Sequence, residues 1–142
     1  MTEQLTAVER FKSLPTFDRI RPDRGHDDFF DLSRFRNFLN QIGNPEKGLP
    51  VIHVAGSKGK GSTCVMMAAA LQALGKKIGV FMSPYMGEPT EAIFVDGKPM
   101  KKSEFERLFE KYSRVIDSLQ PNKFVTSFEV LTAMALQHFH DK

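Results

Sequence analysis

Between His53 and Thr63 the chain reads His-Val-Ala-Gly-Ser-Lys-Gly-Lys-Gly-Ser-Thr, a run whose residue types suit phosphate binding. Glycines let backbone N–H groups turn toward an anion, a following helix N-terminus adds partial positive charge, and a lysine supplies a full one. Gly56, Gly59 and Gly61 are the turning positions, Ser57 and Lys58 lie between them, and Lys60 is the cation. The hydroxyls of Ser62 and Thr63 stand where a loop residue would meet a magnesium ion or a phosphate oxygen. The common nucleotide loop, G-x-x-x-x-G-K-[ST], is not satisfied. Counted back from Gly59-Lys60, its first glycine would fall at Val54, and Gly61 separates the lysine from the hydroxyls. The alternative is a glycine-rich turn without a ligand, a costly composition for mere connection.

The flanking elements must position this loop. Val51 to Ala55 is an apolar run that reads as a buried parallel strand, and Cys64 to Leu74 as a long helix. That helix is apolar almost all round, which predicts burial on several sides, and Gly75 is placed as a left-handed C-cap. Lys77 to Met82 reads as a second strand, terminated by Ser83-Pro84, so the segment predicts a βαβ unit with a right-handed crossover. Ala92 to Val95 and Lys98 to Met100, joined by Asp96-Gly97, read as a hairpin.

Upstream, Leu5, Val8, Phe11 and Leu14 mark one face of a short helix stopping before Pro15. Asp18 to Asp28 reads as a charged loop whose arginines are solvated or fold over a ligand, and a helix from Leu32 to Ile42 ends at Gly43-Asn44-Pro45. Downstream, Ser103 and Glu106 form an S-x-x-E capping box for a helix carrying Phe105, Leu108, Phe109, Tyr112 and Val115. A last helix begins near Thr126, where Thr126-Ser127-Phe128-Glu129 is also a capping box, and runs to the final residue. Two parallel strands make a poor sheet, so the pattern reads as interrupted. His53 reads as a core histidine, His138 and His140 as solvated, and Cys64 as a small buried hydrophobe.

At 142 residues with one cysteine, the chain is one domain's worth and forms no internal disulfide. Thirteen phenylalanines and seven methionines predict a well-filled interior. A net charge of +3 with dispersed basic residues gives no support to nucleic-acid binding. No apolar run is long enough to span a bilayer and the N-terminus lacks a signal-peptide shape, so a cytoplasmic setting is expected and no membrane partner.

The chain resembles the folylpolyglutamate synthase and dihydrofolate synthase branch of the Mur-type ligases. The likeness lies in Gly43-Asn44-Pro45, in the run from Val51 to Thr63, in Gly79-Val80-Phe81-Met82-Ser83-Pro84, weakly in Ile93 to Met100, and in Thr126-Ser127-Phe128-Glu129. It implies an α/β fold: a P-loop-type parallel sheet with flanking helices, the central ATP-binding domain of a Mur ligase, here incomplete. Family members attach L-glutamate to a folate or pteroate carboxylate. ATP phosphorylates that carboxylate, and the glutamate amine displaces phosphate from the acyl phosphate. Carried over, Gly56 to Thr63 would bind ATP, and Lys60 would also act catalytically by stabilising charge on the transferring group. Ser83 and Glu129 would be Mg2+ ligands. From the residues alone, Ser83 also reads as a turn residue before Pro84, and Glu129 reads first as a cap.

The departures bear on the acceptor. Tyr85 replaces the family's histidine, Ala92 an arginine, and Lys58 an asparagine, while Glu91 and Ile93 keep their places. Another carboxylate substrate of the Mur type, or a nucleotide-binding module without chemistry, therefore stays open. Family members also continue into a further strand, a glycine-rich stretch, a histidine that completes the magnesium shell, and a C-terminal ligase domain. The expected organisation is a partial ATP-binding domain over 1–142, with helices and a loop over 1–49 and the loop-bearing unit, hairpin and two helices over 50–142. The expected chain is inactive as a ligase by itself, binds nucleotide, and exposes a sheet edge that could dimerise.

Overall fold

The computed structural model describes residues 5–16, 32–119 and 124–142. The expected loop over 18–28 lies outside the described residues.

Among the described residues, five helices and three short strands follow in the order α1 (Ala7–Lys12), α2 (Ser33–Ile42), α3 (Lys60–Ala73), β1 (Gly79–Phe81), β2 (Ile93–Val95), β3 (Lys98–Pro99), α4 (Lys102–Ser118) and α5 (Ser127–His140), with a 3₁₀ turn at Pro89–Ala92. The composition dictates the core. Phe11 of α1 meets Phe105 of α4 edge-on at 5.4 Å and Phe109 at 6.1 Å, and Phe38 of α2 meets Tyr112 of α4 at 5.9 Å. Edge-to-face pairs contribute about 0.5–1.5 kcal/mol each beyond their burial. Val130, Leu131 and Met134 of α5 and Ile93 of β2 close the same cluster.

Helix ends follow local chemistry. Thr6 and Glu9 form a reciprocal capping box on α1, and Thr126 and Glu129 do so on α5. Gly43 ends α2 in the left-handed conformation, φ 99°, and its N–H bonds the Leu39 carbonyl. One expected cap is corrected: α4 starts after Lys101, which makes no side-chain cap, so Ser103 lies inside the first turn and forms no box with Glu106. The backbone alone closes that turn, with the N–H groups of Glu104 and Phe105 both on the Lys101 carbonyl.

The sheet is antiparallel, in the order β1-β2-β3, with Val80 opposite Phe94 and Val95 opposite Lys98. The hairpin turn is as expected, Asp96 and Gly97 both having positive φ. Asp96 also ties the turn to the residue before β1, accepting from the Ile78 N–H and donating its own N–H to the Ile78 carbonyl. The expected parallel sheet and βαβ unit are not what the described residues form. Residues 51–55 are irregular, with Val51 68% and Ile52 63% exposed, because no described strand lies beside them to complete a ladder. His53 is consequently exposed rather than in the core. The helix after the loop starts at Lys60, four residues before Cys64, and is not buried on several sides. Its only buried residue is Ala68, because among the described elements it packs chiefly on β1, and Cys64 is half-buried. No described helix is long and apolar enough to cross a membrane.

Candidate functional site

The loop from Gly56 to Gly59 makes a turn that side chains disfavour. Gly56 has φ 153° and Gly59, the N-cap of α3, has φ 76°, both in the region that glycine occupies without strain. The first α3 N–H to find a backbone carbonyl is that of Thr63, on Gly59, and the Thr63 hydroxyl donates to the same oxygen at 2.8 Å. The N–H groups of Lys60, Gly61 and Ser62, one turn earlier, are those a helix leaves for an anion. Lys60 itself donates to the Gly56 carbonyl at 2.7 Å, so its ammonium lies across the loop mouth. Residues 55–62, including Ser57, Lys58 and Ser62, are all exposed.

Packing brings three segments to one end of β1. Successive strand side chains alternate faces. Gly79 and Phe81 face α5: the Phe139 ring lies against Gly79, and Phe81 meets Phe128 at 5.9 Å. Helix α5 therefore runs antiparallel to β1, and its first turn, with Glu129, lies at the end where β1 runs out into Met82-Ser83. On the other face a Cβ at Gly61 would lie 3.8 Å from Met82 Sδ, which puts the start of α3 beside that same end. The loop, Ser83 and Glu129 are thus contributed by three elements to one edge of the fold.

Glu129 is held by its cap. Its Oε2 accepts from the Thr126 N–H at 2.7 Å and from the Thr126 hydroxyl at 2.8 Å. Ser83 is exposed. A serine hydroxyl and one carboxylate are hard oxygen donors, and magnesium keeps several waters while taking one or two carboxylates, so this donor set fits it. The described residues hold no group of three metal-ligating His, Cys, Asp or Glu side chains, the kind of cage zinc requires.

The segment after Ser83 shapes the neighbouring surface. Glu91 Oε2 accepts from the Gly87 N–H at 3.0 Å, and Glu88 pairs with Lys12 of α1 at 3.2 Å. Burial pushes the Tyr85 hydroxyl pKa up, and Met86 is 99% exposed. A groove between α2 and the end of α4 is lined, among the described residues, by Ser33, Arg34, Asn37, Asn40, Gln41 and Leu119, none of them from the Gly56–Thr63 loop.

His138 departs from expectation, whereas His140 is exposed as expected. The His138 side chain is buried between α4 and α5, its Nδ1 3.2 Å from Glu104 Oε1 without the alignment of a hydrogen bond. Burial depresses its pKa and Glu104 partly opposes the shift. Sequence reasoning did not single out Thr126 beyond its capping motif, and the structure shows it holding the Glu129 carboxylate.

No family model matches the chain. A dihydrofolate synthase/folylpolyglutamate synthase of Bacillus subtilis is 34% identical over 110 residues, covering 76% of this chain and 26% of the relative. Among solved structures, a Mycobacterium tuberculosis folylpolyglutamate synthase complexed with ADP is similar with a TM-score of 0.71 and 32% identity, over 78% of this chain and 25% of the other. A folylpolyglutamate synthase–AMPPCP–folate complex is similar with a TM-score of 0.80 and 28% identity, over 95% of this chain and 32% of the other. These neighbours carry the Mur-ligase fold, of which the described residues form a part. The chain belongs to the folylpolyglutamate synthase/dihydrofolate synthase family, and spans about a quarter of the length of the curated relatives it matches.

Proposed function

We propose that this chain carries the ATP-binding part of an amide ligase that adds L-glutamate to a folate or pteroate carboxylate through an acyl phosphate. The observation that carries the reading is the convergence of the Gly56–Thr63 loop, Ser83 and Glu129 at one end of β1, in a chain whose solved neighbours are complexed with ADP, AMPPCP and folate. In this reading the N–H groups at the start of α3 bind ATP phosphates. Lys60 leaves the Gly56 carbonyl to neutralise charge on the transferring phosphoryl group, the main contribution a protein makes to such a transfer. Ser83 and Glu129 would hold Mg2+, which when bound would supply further charge stabilisation.

The domain reading is part of the proposal: 1–142 is a partial ATP-binding domain that binds nucleotide, and turnover requires the remaining family fold to be supplied. The setting is cytoplasmic. The outer edge of β1, which pairs with no described strand, is the surface through which two copies associate.

The test is binding against turnover. ATP with magnesium should bind the 142-residue chain, measured by calorimetry, with no phosphate released on adding pteroate or folate plus glutamate. Release from the same mixture by a longer form of the protein carrying the remaining fold supports the ligase. A longer form that binds ATP and releases nothing with either acceptor leaves a nucleotide-binding module, and release with another carboxylate alone moves the acceptor class. Tyr85 and Ala92, which replace a histidine and an arginine of the family pattern, are the residues that favour testing other carboxylates.

A further inference from the structure

Glu129 has two readings from sequence, helix cap and metal ligand, and they look like competitors for one carboxylate. The geometry separates them by oxygen atom. Both hydrogen bonds from Thr126 go to Oε2, at 2.7 and 2.8 Å, and among the described residues none goes to Oε1. The Glu129 N–H closes the box on the Thr126 hydroxyl at 3.2 Å. A carboxylate offers about four lone-pair positions, so two donors on one oxygen leave the other free.

We propose that Thr126 is a positioning residue for the metal site: it clamps Oε2 of Glu129 and thereby presents Oε1 as a preoriented magnesium ligand. This rests on the reading of Glu129 as a ligand given above, and adds how the ligand is held.

Three observations support the clamp. Thr126 is 2% exposed, so its hydroxyl bond is shielded from competing water. The first turn of α5 is itself fixed from two sides, by the Ser127 N–H on the Pro15 carbonyl at 2.8 Å and by Phe128 against Phe81. Finally, α1 carries the same Thr–Glu box with the same oxygen clamped, but there the carboxylate is on the open surface. The box on α5 stands instead at the end where β1 runs out into Met82-Ser83. Charge-assisted bonds of this length hold the carboxylate plane, so ordering it is not left to the moment of metal binding.

The test measures metal binding, not turnover. Mn2+ replaces Mg2+ as the probe, and its half-saturating concentration is read by electron spin resonance on the full chain with ADP present. Nucleotide affinity in chelator and far-UV circular dichroism are read in parallel. Thr126→Ser keeps both bonds and should stay within about twofold of the parent, whereas Thr126→Asn still caps the helix but cannot donate to Oε2 in the same geometry. Thr126→Asn should raise the half-saturating Mn2+ about tenfold, the usual scale for losing a partner that orients a metal ligand, with chelator affinity and helix content unchanged. Thr126→Asp, a strong cap that repels Glu129, should do the same and serves if the asparagine variant is poorly folded. A Glu129→Gln control separates the layers. If it weakens Mn2+ binding while Thr126→Asn and Thr126→Asp do not, Glu129 ligates unaided and the clamp is overturned. If Glu129→Gln changes nothing, the ligand reading fails and the clamp with it.

Discussion

The Lys60 ammonium donates to the Gly56 carbonyl at 2.7 Å, so the cation at the start of α3 is parked on the loop's own first turn. An incoming phosphate exchanges that neutral acceptor for a charged one. Hydrogen bonds to charged groups contribute about 1.5–3 kcal/mol, and each 1.4 kcal/mol is about tenfold in affinity. Lys60→Ala should therefore weaken ATP binding about 10- to 100-fold in calorimetry. The thermal midpoint should barely move, because the side chain is exposed. Unchanged affinity would remove the loop from the site.

Gly79 is required by contact. A Cβ built there would lie about 2.7 Å from Phe139 Cε1, closer than real Cβ atoms approach a neighbour. The Phe139 ring would have to move off β1, and overpacking of this kind costs about 1–3 kcal/mol. Gly79→Ala should lower the urea midpoint accordingly. Combining it with Phe139→Leu should recover part of the loss in a double-mutant cycle, and additive losses would refute the contact as the cause.

His138 gives the fold an acid-sensitive seam. Burial lowers its folded pKa below the ordinary histidine value of 6.5, so the neutral imidazole is favoured in the folded state. The unfolded chain takes up its proton first as pH falls. The stabilisation is complete above about pH 6.5 and is lost as pH falls through the folded pKa. Glu104 and Lys142, paired at 3.2 Å beside it, and Asp141 share the seam. Replacing His138 with Leu should flatten the pH dependence of Tm below about pH 6.5; an unchanged slope would place the acid sensitivity elsewhere.

The outer face of α3 should tolerate charge. Met66 is 65% exposed, so Met66→Lys should change stability by no more than about 0.5 kcal/mol by urea unfolding. Ala68, buried in the same helix, should not tolerate Asp. Sedimentation at rising concentration reports whether two copies associate, and a monomer throughout would remove the proposed dimer.

The features legible in the chain are local ones. The Thr126–Glu129 capping box, the Gly43 and Asp96-Gly97 turns, and the glycine loop all depend on residues within a few positions of one another. Ser103–Glu106 shows the limit. It has the capping pattern, yet α4 starts two residues earlier on backbone bonds alone, because a pattern does not say where the chain enters its helix. Val51 to Ala55 and the apolar α3 show a second limit. Apolar content predicts burial, but burial needs a partner, and no described strand lies against residues 51–55.

By itself, then, the sequence determined the glycine-rich loop of Gly56 to Thr63, the α5 capping box and the family likeness, since each depends on residue types at short spacing. Tertiary structure decided that β1 pairs antiparallel with the hairpin, that His138 is buried, and that Ser83 and Glu129 reach the loop's end of the fold. These are relations between residues far apart in the chain, set by which faces pack: Phe139 and Phe128 on one side of β1, Gly61 against Met82 on the other. The same Thr–Glu box on α1 and α5 leaves one carboxylate oxygen unclamped in each, and only the tertiary structure decided that the α5 copy stands at the end of β1.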